Sequence, residues 1–241
     1  MAHPVVHSMY WHNIPDTILE KQRAVFKHLQ IELVQEAADK KSHGVWMNEV
    51  LERSASDEVV VFCDIDAFPL NQSAYAEAIR QAENGAVFGL AQFSNHKKGE
   101  DLYAGPMFMA IRKSTWQALG SPSLRSDREH DAAEVLSVRA RERQIPLVMI
   151  RPSGCLIPKW ALGDQGVFGI GTFYGDCDFF HLFESRKPAY ERILREVADD
   201  VTAARPLNFR HYLEIVEQLE QDARTPPKSS GSFKLWKIFS R

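Results

Sequence analysis

The chain reads as an α/β protein: a mainly parallel mixed sheet flanked by helices, closed by C-terminal helices and a tail. Three observations lead there. Strand-like and helix-like stretches alternate through its first half. One of them, "EVVVFCDID" (Glu58–Asp66), is apolar until its last residues, the pattern of a central strand covered on both faces. The first helix candidate carries Ile18, Leu19, Val25, Phe26 and Leu29 at helical spacing.

Taken in order, "PVVHSMYW" (Pro4–Trp11) predicts a short strand and "DTILEKQRAVFKHL" (Asp16–Leu29) a helix opened by Asp16 as cap. "IELV" (Ile31–Val34) is a second strand, and "GVWMNEVLERSA" (Gly44–Ala55) a second helix. After the Glu58–Asp66 strand and a turn, "SAYAEAIRQAEN" is helical and stops at Asn84-Gly85. "AVFGLAQF" (Ala86–Phe93) is strand again. "AGPMFMAIRKSTWQALG" predicts turn, strand and short helix; "SDREHDAAEVLSVRARERQ" (Ser126–Gln144) a helix; "PLVMI" a strand. "GDQGVFGIGTFYGDCDFF" (Gly163–Phe180) reads as a glycine-rich, aromatic loop without a Rossmann fingerprint, and two helices follow. Residues 1–224 are expected to form one domain, with 225–241 a linker and basic-apolar tail.

Composition narrows the function classes. A net charge of −3 with both signs interspersed advertises no nucleic-acid partner. Cys63, Cys155 and Cys177 are odd in number and lack CxxC spacing, which speaks against a disulfide framework or structural zinc and for a reducing compartment. The N-terminal stretch lacks the charged and apolar regions of a secretory signal, and no apolar run reaches the ~18 residues of a membrane span. A cytoplasmic protein is expected.

The sharpest local feature is the aspartate pair that ends the apolar strand. Buried strands rarely finish in two carboxylates, and in open α/β sheets ligands bind beyond the carboxyl ends of the strands. Asp64 and Asp66 there offer hard oxygen ligands to a divalent cation, which can bridge the oxygens of a diphosphate. The plainer reading is that they only turn the chain before Phe68-Pro69.

From Val5 to Lys187 the order of elements ending in "DID" resembles the nucleotide-sugar-binding half of the GT-A glycosyltransferases. "YAGPMFMAIRKSTWQALG" is similar to the acceptor-side stretch of that family, and "FFHLFESRK" to its late histidine segment. The resemblance implies a metal-dependent transfer of a sugar from a nucleoside-diphosphate donor to the hydroxyl of a glycan or lipid-linked acceptor. It implies Asp66, Asp64 and His181 as ligands of Mn²⁺ or Mg²⁺, with Asp64 also close to the donor ribose. Such an ion offsets the charge that grows on the β-phosphate as the sugar leaves. It points to Ser8, Tyr10 and His43 for the donor base and ribose, and to Asp131, with Glu134 behind it, for the general base. "EHDAAE" lacks the adjacent Glu-Asp pair usual in inverting members, so both stereochemical outcomes stay open. Ser126-x-x-Glu129 also reads as a helix capping box.

Two other readings compete. A phosphatase of the haloacid dehalogenase type also places DxD after a strand, but Ala67-Phe68-Pro69 does not fit its pattern. A GT-A-like module that binds nucleotide without catalysis is the second. In the tail, "SFKLWKIFSR" gathers its apolar residues on one helical arc and Lys234, Lys237 and Arg241 on the other side. That pattern fits an anionic lipid surface, as on the inner face of a membrane, or packing on protein.

Overall fold

The computed structural model describes residues 4–94, 102–161 and 163–224. The tail, 225–241, and the lipid reading attached to it lie outside the described residues.

The first half folds as the alternation predicts. Strands β1 (Val6–Tyr10) and β2 (Leu33–Ala37) flank helix α1 (Asp16–His28), and α2 (His43–Arg53) leads into β3 (Val59–Cys63). A three-residue strand, β4 (Ala67–Pro69), follows, then α3 (Gln72–Glu83) and β5 (Val87–Phe93). Next come the long β6 (Leu102–Arg112), α4 (Lys113–Ala118), α5 (Glu134–Glu142) and β7 (Leu147–Ile150). The main sheet has the order β2-β1-β3-β6-β5-β7. β6 pairs antiparallel with both neighbours, while the other pairings are parallel.

All five residues of β3 are buried, and successive residues serve opposite faces. Val59, Val61 and Cys63 join the core built with α1 and α3, whereas Val60 and Phe62 join the core under α2 and α5. The sheet is therefore covered on both sides, which is why this strand lacks polar alternation. Asn71 caps α3 by accepting the Ala74 N–H at 2.7 Å, and Gly85 takes the left-handed conformation after it.

Four expectations need correction. Gly163–Phe180 is not a loop. Together with β8 (Pro152–Ala161), the strands β9 (Val167–Tyr174) and β10 (Phe179–His181) build a second, antiparallel sheet of order β4-β10-β9-β8. Its aromatic residues are buried core, and Gly169 is needed because a Cβ there would stand 1.9 Å from the Ile157 carbonyl oxygen. The Ser126–Gln144 helix is only Glu134–Glu142. Asp127 accepts from the Glu129 and His130 N–H groups, both at 2.8 Å, so a local turn replaces the capping box. Asp16 is the first helical residue rather than the cap; Pro15 holds that position with no side-chain cap bond. The Gly105 turn is also absent: β6 runs straight through it, with a register shift opposite Gly89/Leu90.

The last two helices, α6 (Pro188–Thr202) and α7 (Phe209–Arg224), lie against the second sheet and α1. Asp200, 7% exposed, joins them by accepting from Tyr212 Oη at 2.6 Å and Arg205 Nε at 2.8 Å. No described helix is long and apolar enough to cross a membrane.

Candidate metal centre

The aspartate pair occupies the link between the two sheets. Asp64 N–H donates to Met107 O at 3.0 Å, extending the contact of β3 with β6 by one residue. Ala67 N–H then donates to Asp64 O at 3.0 Å, closing a tight turn with Ile65 and Asp66 at its corners. Beyond the turn β4 pairs with β10, and His181 stands opposite Ala67. Leu182 N–H donates to Asp66 O at 3.0 Å, fixing the end of β10 to the turn.

This geometry brings three side chains together. His181 Nε2 lies 3.4 Å from Asp66 Oδ1 and 3.8 Å from Asp64 Oδ2. One ligand atom from each of Asp64, Asp66 and His181 falls within 4.8 Å of the others. A cation coordinated at roughly 2.1–2.4 Å spans about that distance between opposite ligands. His181 is buried, and its ring packs 4.1 Å from that of Phe183. Its Nδ1 has no hydrogen-bond partner among the described residues, so beyond the contact of Nε2 with Asp66 the ring is held by strand register and packing.

The electrostatics describe a crowded anionic pair. Burial pushes the Asp64 carboxyl up, His43 opposes this, and the neighbouring Asp66 charge adds to it. Burial acts the same way on Asp66, but the hydrogen bond and charge of His181, with the Ser185 hydroxyl, outweigh it and hold its carboxyl low. Burial also raises the Cys63 thiol, which both aspartates reinforce, so it is no soft ligand for this centre. Two carboxylates and one imidazole, with no thiolate, make a hard set of donors for a divalent cation. A cation would relieve the mutual repulsion of the carboxylates, and the donor set fits one.

Beside Asp64 and Asp66 opens a cleft of about 410 Å³ at the carboxyl ends of β1 and β3, and His181 is not among its lining residues. Its lining includes Tyr10, Trp11 and His43 together with Glu184, Ser185, Arg186 and Lys187, and Lys187 is paired with Glu184. The Arg186 guanidinium stands 5.6 Å over the Trp11 ring. His43 Nε2 is 3.6 Å from Asp64 Oδ1, and its ring stacks on Trp46.

The remaining residues singled out in the sequence fall in three places. Tyr10 and His43 line the cleft. Ser8 is fully buried, its hydroxyl unpartnered among the described residues, and is not among the lining residues. Glu134 is buried, and its carboxylate accepts the Asp131 N–H at 2.7 Å, as a brace for the start of α5. Burial raises the Tyr103 phenol, and the charges of Asp131, Glu134 and Asp64 add to the effect; neither Asp131 nor Glu134 is among the residues lining the cleft. Trp11, Ser185, Arg186 and Lys187 escaped the sequence reading. Their signal was present in the aromatic end of the first strand and in a basic pair between the histidine segment and Pro188.

No protein-family model and no curated protein sequence matches the chain. Among solved structures it is similar to the apo-form glycosyltransferase GlyE of Streptococcus pneumoniae TIGR4, at 12% identity and a TM-score of 0.39. That likeness covers 95% of this chain and 66% of the other, so the chain spans just under two thirds of that protein's length.

Proposed function

We propose that the chain is a glycosyltransferase that moves a sugar from a nucleoside-diphosphate sugar to an acceptor hydroxyl, with Mn²⁺ or Mg²⁺ held by Asp64, Asp66 and His181. The observation that carries this reading is the meeting of those three ligands beside a cleft whose lining combines the aromatic Tyr10 and Trp11 with the cationic Arg186. When bound, the ion supplies Lewis-acid stabilisation of the leaving diphosphate. The chain's own residues do the rest. Trp11 and Tyr10 offer flat apolar surface to a nucleoside, and Arg186 offers charge to the phosphates. Ser185 and His181 hold the Asp66 carboxylate ionised and oriented. Asp131 is the base we assign to the acceptor hydroxyl; its charge acts on the same buried Tyr103 phenol as that of Asp64.

The test is calorimetry of UDP and GDP binding with and without Mn²⁺, followed by hydrolysis of the matching nucleotide sugars. Metal-dependent binding with slow release of free sugar supports the transferase. Binding without turnover toward any acceptor would favour a nucleotide-binding module, and no metal-dependent binding would refute the reading.

A further inference from the structure

Helix α1 turns Ile18, Gln22, Val25 and Phe26 inward, and Gln22 is the one polar residue in that buried set. It is fully buried, which for an amide requires partners for each polar atom. Gln22 Nε2 donates to Asp64 O at 2.7 Å and to Ala67 O at 2.9 Å. Those two carbonyls are the first and last of the turn that carries the aspartates. Gln22 Oε1 accepts from Gln35 Nε2 at 2.9 Å, and the same Gln35 nitrogen donates to Leu19 O at 3.0 Å. Gln35 Oε1 in turn accepts from an Arg23 guanidinium N–H at 2.7 Å. Donors and acceptors alternate along the series, so both amides have one orientation only.

We propose that Gln22 is a positioning residue for the metal centre: it fixes the Asp64–Ala67 turn, and Gln35 on the edge strand β2 fixes Gln22. The proposal rests on the metal reading of Asp64, Asp66 and His181. Its physical basis is that a carboxylate joined to a clamped backbone by a single methylene group takes its direction largely from that backbone. Without the clamp, both carbonyls lose a buried amide donor and keep the weaker Cys63 thiol, with the Ala67 N–H still on Asp64 O, and the turn loosens. Partners one shell out from a metal change its affinity by about 10–100-fold when removed.

Gln22→Met keeps the length and volume of the side chain and removes both donors. With Mn²⁺ as the probe, calorimetry should show affinity at least about tenfold weaker than wild type in the folded protein. Gln35→Met, which leaves Gln22 in place but frees its carbonyl oxygen, should give a smaller loss in the same direction. Val25→Ala, a buried change on the same helix outside the network, should lower Tm and leave Mn²⁺ affinity unchanged. If affinity falls equally in Val25→Ala, the effect of Gln22 is general destabilisation and the proposal is overturned. It is also overturned if wild type binds Mn²⁺, Asp66→Ala does not, and Gln22→Met binds as wild type. Should Gln22→Met fail to fold, unchanged affinity in Gln35→Met overturns it. A wild type that binds no Mn²⁺ removes the metal reading and this proposal together.

Discussion

Replacing Asp66 by alanine should leave the metal-free protein folded and abolish its stabilisation by Mn²⁺. Two terms of opposite sign act in the metal-free state. The variant loses the acceptor of the buried Ser185 hydroxyl and of His181, an orphaning cost of about 1–3 kcal/mol. It also removes a carboxylate from beside Asp64, with ligand oxygens within 4.8 Å. At an effective dielectric constant near 20, two such charges repel by about 3.5 kcal/mol, an upper bound because Asp64 is 27% exposed and His43 faces it. The terms oppose each other and leave at most about 2.5 kcal/mol, so the metal-free Tm should move by no more than about 10 °C. With Mn²⁺ at a hundredfold excess over its Kd, the wild type gains about 2.7 kcal/mol by mass action. For a chain of this length that is a rise in Tm of about 5–11 °C. Differential scanning fluorimetry with and without Mn²⁺ reads both numbers. An Asp66→Ala protein that keeps the full Mn²⁺-dependent rise would refute the assignment of Asp66 as a ligand.

His181→Ala should lower Mn²⁺ affinity by at least about tenfold, read by calorimetry, since it removes one of the three ligands the geometry assembles. Asp200→Ala should destabilise the fold by about 3 kcal/mol in urea titrations, because the buried Tyr212 hydroxyl loses its acceptor, yet leave Mn²⁺ affinity unchanged. Burial works against ionisation of Asp200, but the Tyr212 hydroxyl and the Arg205 guanidinium outweigh it and hold its carboxyl below the ordinary range. Its contribution is therefore complete above the unfolded value of about 4 and is lost as pH falls through the lower folded value, so the gap between wild type and Asp200→Asn should close in acid. Arg186→Ala should weaken UDP or GDP binding by about tenfold and flatten its dependence on salt, as measured by calorimetry at two ionic strengths. Deletion from Ser229 onward should abolish co-sedimentation with anionic liposomes at low salt without lowering nucleotide affinity; equal sedimentation of the full and truncated chains would remove the membrane reading of the tail.

The sheet that positions the site was legible where one residue type repeated over a whole element. Val59 to Cys63 is apolar at every position because both faces are covered, and that alone marks a central strand. The second sheet was not legible, because its strand β9 contains Gly169 and Gly171 and is flanked by Gly166 and Gly175, ordinarily signs of a loop. Those glycines answer tertiary demands instead. Gly166, Gly171 and Gly175 adopt positive φ, and Gly169 lets another backbone approach. The acidic segment before α5 misled for a different reason: Ser126-x-x-Glu129 has capping-box spacing, but Asp127 captures the local N–H groups first. Gln22 carried a signal of its own, a polar residue at helical spacing between Ile18 and Phe26 on an apolar face.

The second sheet also explains why a lone histidine distant in sequence can belong to the aspartate pair. In a strand, side chains alternate between faces, so a slip of one residue in the pairing of β10 with β4 would carry His181 to the opposite face. The register is pinned from both edges: His181 is opposite Ala67 on β4 and opposite Thr172 on β9. Phe180, one residue earlier, packs against Phe68 and Phe173 at ring distances of 5.4 and 5.1 Å, burying its whole side chain. A shift that moved His181 would pull that ring out of the core, at a cost of a few kcal/mol for the lost burial alone. The same aromatic packing that makes "FFH" look like ordinary core is therefore what aims the imidazole. On this view the metal centre is a property of sheet register as much as of its three ligands. The aspartates are aimed by a turn clamped from α1, and the histidine by phenylalanines that never touch the cleft.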